Sequence, residues 1–112
     1  ILYLPRVFEP SLCDRLIALY DRAGGEVSGF MVQQAGKTVL ANDYSHKRRM
    51  DCAVEAQDLR ELIWNRFERN IFPEIAKAYQ FHVTRMERLI IGCYTAAQSG
   101  HFAPHRDNTT AG

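Results

Sequence analysis

Apolar positions recur along this chain with two different periods, and the change of period organises the reading. Ile1 to Phe8 is apolar and broken by Pro5, which predicts a short strand or an extended entry segment. Leu12, Leu16, Leu19 and Tyr20 then fall at helical spacing behind Pro10-Ser11, with Ser11 as the expected N-cap and Asp14 as its partner three residues on. Gly24-Gly25 is a helix stop. Phe30 to Gln33 and Lys37 to Leu40 flank Gln34-Ala35-Gly36, the pattern of a hairpin. Asn42 to Arg49 is polar and basic and reads as a loop.

The strongest helical stretch is Asp58 to Tyr79, where Leu59, Leu62, Ile63, Phe67, Ile71, Ile75 and Ala78 keep a helical period. Pro73 lies inside it and lacks an amide hydrogen, so a kink or two abutting helices are expected near Asn70-Ile71-Phe72. Trp64, Phe67 and Phe72 are assigned to core packing. From Arg85 the period becomes two. Leu89 to Tyr94 is almost wholly apolar and suits a strand buried on both faces. Thr95 to Gly100 reads as a loop, and His101 to Asp107 as a second strand bent at Pro104.

Composition narrows the class. The 112 residues hold 46% hydrophobic and 24% charged side chains, ordinary values for a globular chain. Fourteen Lys+Arg against 13 Asp+Glu leave a net charge of +1, which argues against a nucleic-acid-coating protein. No apolar run is long enough to span a membrane. The three cysteines, Cys13, Cys52 and Cys93, form no CxxC pair and are expected to be reduced thiols of a cytoplasmic protein. Cys13 and Cys93 sit among apolar neighbours and are expected to be buried. In the one basic run, His46-Lys47-Arg48-Arg49, a solvated loop is expected, with a lid that draws in an anionic co-substrate as the alternative. His82 is expected to be solvated after a helix end, and Arg106 to meet solvent or a salt bridge.

The chemistry is concentrated between Gly92 and Asn108. His105-x-Asp107 on a strand would project an imidazole and a carboxylate from one face. That is two-thirds of a facial triad, whose open positions let a co-substrate chelate iron(II) while dioxygen binds beside it. Tyr94, Gly100, Phe102, His105, Asp107 and Asn108 follow in an order and spacing that resemble the first iron-binding strand of the 2-oxoglutarate- and iron(II)-dependent dioxygenases, in particular the prolyl 4-hydroxylase-like superfamily. The Phe-Glu-Pro-Ser start of the first helix, the long helix ending in Ala-Tyr-Gln-Phe and the Glu-Arg-Leu strand are similar as well, so the resemblance extends over the whole chain.

The resemblance implies an α+β fold, with N-terminal helices packed on an antiparallel double-stranded β-helix (jelly roll). It implies His105 and Asp107 as iron(II) ligands, Tyr94 as a hydrogen-bond donor to 2-oxoglutarate, and His101, Phe102 and Asn108 at the rim. It further implies a hydroxylase acting on a small-molecule or peptidyl substrate, releasing succinate and CO2, with ascorbate as a reductant and no nucleic acid or membrane partner. The family draws a second His and a carboxylate-pairing Arg or Lys from later strands. Residues 1–112 are therefore expected to be a single partial domain, with a helical and hairpin region at 1–84 and the first core strands at 85–112, truncated after the first iron-binding strand. Exposed strand edges would favour a homodimer. Two other readings stay open: a non-catalytic metal-binding or association module, and a zinc site using His101, His105 and Asp107. The sequence leaves the substrate unread, and with it the activity of the 112 residues taken alone.

Overall fold

The computed structural model describes residues 1–28, 30–34, 37–41 and 47–106, with only the backbone described at 30–34 and 37–41. The chain folds as α1 (Pro10–Ala23), β1 (Glu26–Val27), β2 (Phe30–Gln34), β3 (Lys37–Ala41), β4 (Lys47–Arg48), β5 (Met50–Ala53), α2 (Gln57–Asn70), α3 (Phe72–Tyr79), β6 (Ile90–Cys93) and β7 (His101–Phe102), with a 3-10 turn at Ala96–Gln98 between the last two strands. This is a mixed α+β architecture of helices and small antiparallel sheets. No helix among the described residues is long and apolar enough to cross a membrane. Two compact units interleave in sequence, one from Ile1–Ala23 and Ala53–Ile91, the other from Gly24–Cys52 and Gly92–Gly112.

The first unit is built on the helical period. Leu12 of α1, Val54, and Leu59 and Ile63 of α2 are its buried core, and Phe8, Leu16, Leu19, Leu62, Phe67, Leu89 and Ile91 pack around it. The entry segment is not a strand; Phe8 stacks on Phe67 at 5.8 Å between ring centroids. The first helix begins at Pro10, so Ser11 lies inside it and is not its cap. Proline suits a first helical position because its missing amide hydrogen has no intrahelical partner to lose there, and the Glu9 carbonyl receives the amides of Leu12 and Cys13 at 3.0 and 3.2 Å. Gly24, at φ 74°, ends the helix as expected. Cys13 is exposed, against expectation, because it sits one step past Leu12 on the outer side of α1.

The break near Pro73 falls where the sequence placed it. Ile71 closes α2 by donating its amide to Phe67 and caps α3, which carries Pro73 in its first turn. Trp64 and Phe72 meet edge-on at 5.1 Å across that break.

The second unit holds the hairpin, antiparallel from Phe30↔Ala41 to Gln34↔Lys37. In it β1 pairs antiparallel with β5, Glu26 facing Asp51; the sheet order is β1-β5-β6, and only Gly92–Cys93 of β6 belong to this unit. Three expectations are corrected. Lys47–Arg48 is strand and not loop, pairing with β7 through Lys47↔Phe102 and Arg48↔His101. β6 covers only Ile90–Cys93 and is half-buried, because residues 85–88 stay exposed around the Arg85–Glu87 ion pair apart from half-buried Met86. β7 ends at Phe102, two residues before Pro104, which has no amide hydrogen to continue a ladder.

Candidate functional site

The candidate residues gather in the second unit around two aromatic rings. β4 and β7 bring Lys47 beside Phe102, with the ammonium 4.7 Å from the ring centroid. Lys47 is only 4% exposed, an uncommon place for a cation, and the electron-rich ring face favours it there. Arg49 stands between Tyr94 and Phe102, its guanidinium carbon 5.8 and 6.0 Å from the two centroids.

Arg49 is held from several sides. It donates twice to the Asp51 carboxylate, at 2.5 and 2.9 Å, once to the Ser28 hydroxyl at 3.2 Å, and once to the Tyr94 phenol at 3.4 Å. The Asp51 bonds raise the Arg49 pKa further above its ordinary value against the opposing effect of burial. Burial pushes the Asp51 carboxyl up, but the hydrogen bonds of Arg49 and Ser28 and the charges of Arg49 and Lys47 outweigh it, so its pKa is lowered. Gly92 gives the arginine its path, since a Cβ there would stand 2.8 Å from the Arg49 Cδ.

Tyr94 is 48% exposed at the end of β6. The loop that follows folds back tightly. Gly100 donates to the Thr95 carbonyl at 2.8 Å, and a Cβ on Gly100 would come within 2.7–2.9 Å of the Thr95 amide nitrogen and Tyr94 backbone. Ser99, at φ 53°, turns the chain into β7.

His105 lies beyond β7 and is exposed, so its position does not come from strand alternation. Its ring stacks on Phe102 at 3.8 Å and 15°, and Nδ1 lies 2.8 Å from the Ala103 carbonyl. A carbonyl only accepts, so this contact is a hydrogen bond in the tautomer that carries the proton on Nδ1 and leaves the lone pair on Nε2. His101 has the same relation to the Ser99 carbonyl at 2.8 Å. Asp107 and Asn108 lie outside the described residues, as does His46. Among the described residues no three His, Cys, Asp or Glu side chains converge to hold a metal.

The structure thus brings Tyr94, Gly100, Phe102 and His105 together and adds Lys47, Arg49, Asp51 and Ser28, which sequence reasoning left in a loop or passed over. Lys47, Arg49 and Asp51 alternate with other residues at strand spacing, the one signal that pointed to a shared face. No protein-family model matches the chain, and neither a curated protein nor a solved structure matches it.

Proposed function

We propose that the intact protein is an iron(II)- and 2-oxoglutarate-dependent hydroxylase, built on a jelly roll of which these residues are the front part. The observation that carries the reading is the 2.8 Å contact of the His105 Nδ1 with the Ala103 carbonyl, which favours the tautomer with Nε2 as the electron-pair donor. That is the protonation state a metal ligand needs, and such an outer tether fixes the ring for ligation. The donor set fits iron in part: His105 and Asp107 would hold it, with the third ligand supplied from elsewhere in the intact protein. When bound, iron and 2-oxoglutarate would supply the chemistry by which dioxygen is consumed, one oxygen atom entering the substrate as hydroxyl and the other entering succinate as CO2 leaves.

The chain's own groups have narrower tasks. The Tyr94 phenol oxygen accepts a hydrogen bond from Arg49, which leaves its O–H to donate to an anionic co-substrate oxygen. Arg49 over the Tyr94 ring and Lys47 over the Phe102 ring outnumber the Asp51 carboxylate, which leaves one net positive charge to favour an anionic co-substrate. Phe102 covers one face of the His105 ring and limits water there.

Iron-dependent succinate formation from 2-oxoglutarate by the intact protein tests the proposal. His105→Ala and Asp107→Ala are each expected to abolish it, and Tyr94→Phe to raise KM for 2-oxoglutarate. Succinate release that survives both ligand changes overturns the reading. Stoichiometric zinc with no iron or 2-oxoglutarate effect also overturns it, in favour of a zinc site at His101, His105 and Asp107.

A further inference from the structure

The first unit carries a second, unrelated polar feature where the entry segment passes the end of α2. There a cleft of about 440 Å³ is lined by Arg6, Glu9, Arg66 and Arg69, over apolar Val7 and Phe8. Its one carboxylate is already taken: Arg66 grips Glu9 with two parallel bonds of 2.8 and 2.9 Å. The charge of Arg69 reaches Glu9, yet its guanidinium makes no hydrogen bond among the described residues, and neither does that of Arg6. Three arginines against one carboxylate leave two positive charges in the cleft.

The backbone holds this arrangement. Asn70 donates its side-chain amide to the Val7 carbonyl at 2.9 Å, pinning the entry segment at the cleft. Arg6 itself sits at φ 57°, a left-handed conformation that a side chain with a Cβ adopts only at a cost. Strain of this kind persists where the surroundings fix it, and it clusters at ligand-binding segments.

We infer that this cleft binds the phosphoryl group of a small phosphorylated molecule, gripped by Arg6 and Arg69, with the ligand's body resting on Val7 and Phe8. Guanidinium groups match phosphate oxygens in geometry as well as charge, and two of them balance a dianion. The Arg66–Glu9 pair supports the wall and occupies the carboxylate that would otherwise draw the other two arginines. The inference stands apart from the dioxygenase reading and uses none of its residues.

Titration of the protein with phenyl phosphate, inorganic phosphate and benzoate at constant ionic strength, followed by the amide shifts of Val7 and Asn70, tests it. Saturable binding is expected for phenyl phosphate, more weakly for inorganic phosphate, which lacks an apolar body, and most weakly for the singly charged benzoate. Arg6→Gln and Arg69→Gln should each weaken phenyl phosphate at least about tenfold, the loss expected for a charge-assisted hydrogen-bond pair. Arg69→Lys, which keeps the charge without the fork, should fall between, and Arg22→Gln, remote on α1, should change nothing. No saturable binding by the unaltered protein, or equal losses in the Arg22 variant, overturns the inference.

Discussion

Glu9 is the most strongly perturbed acid among the described residues. The two bonds from Arg66 lower its pKa from 4.5 to about 2, with its own amide and the charges of Arg66 and Arg69 adding to the effect. A carboxyl whose folded pKa is depressed stabilises the fold above its unfolded pKa, and that stabilisation drains away as pH falls through the folded value. Glu9→Gln should therefore be less stable than the parent at neutral pH. The difference should narrow between about pH 4.5 and pH 2, as read by urea unfolding at a series of pH values. Gly100 makes an equally local case. A methyl group there meets backbone and not a yielding side chain, so Gly100→Ala should cost about 1–3 kcal/mol in urea unfolding. At Gly92 the added methyl meets the Arg49 side chain, which can give way at the expense of its hold on Tyr94.

At the scale of elements, the helical period and the proline were sufficient evidence. Leu59 and Ile63 are core residues because their four-residue spacing puts them on one face of α2, with Leu12 of α1 in the same core, and Pro73 marks the joint because the amide it lacks would be missed anywhere but in a first turn. Pro73→Ala should thus change stability by less than about 1 kcal/mol, whereas Ala76→Pro, in the body of α3, should cost about 3 kcal/mol or more; thermal or urea unfolding of both separates these outcomes. The strands were less legible. Two-residue pairings such as β4 with β7 are too short to show a period, so Lys47–Arg48 looked like loop until its partner was seen. The site was legible in the same proportion. Tyr94, Gly100, Phe102 and His105 are picked out by the resemblance of their segment to a known family, but Arg49 reaches Tyr94 across 45 residues and Ser28 across 21, and no local pattern encodes such partners.

Across the whole molecule, each unit is assembled from two stretches that are distant in sequence. Leu12 finds Leu59 and Ile63 only after the intervening residues have been made, so closure of that core is a non-local event and slow relative to helix formation. The near balance of acidic and basic residues means that charge is organised in local clusters, at Arg49–Asp51 and at Glu9–Arg66, with little net charge over the chain. The three thiols turn this architecture into a built-in recorder of its own opening. Cys13 is exposed, Cys93 half-buried and Cys52 only 6% exposed beside the β1 pairing. A thiol-specific chromogenic reagent should therefore count them one by one, Cys13 at once, Cys93 more slowly, and Cys52 only as fast as its unit unfolds. Denaturant should merge the three rates, and the lag of Cys52 in buffer would time the unfolding of the second unit without any label having been added.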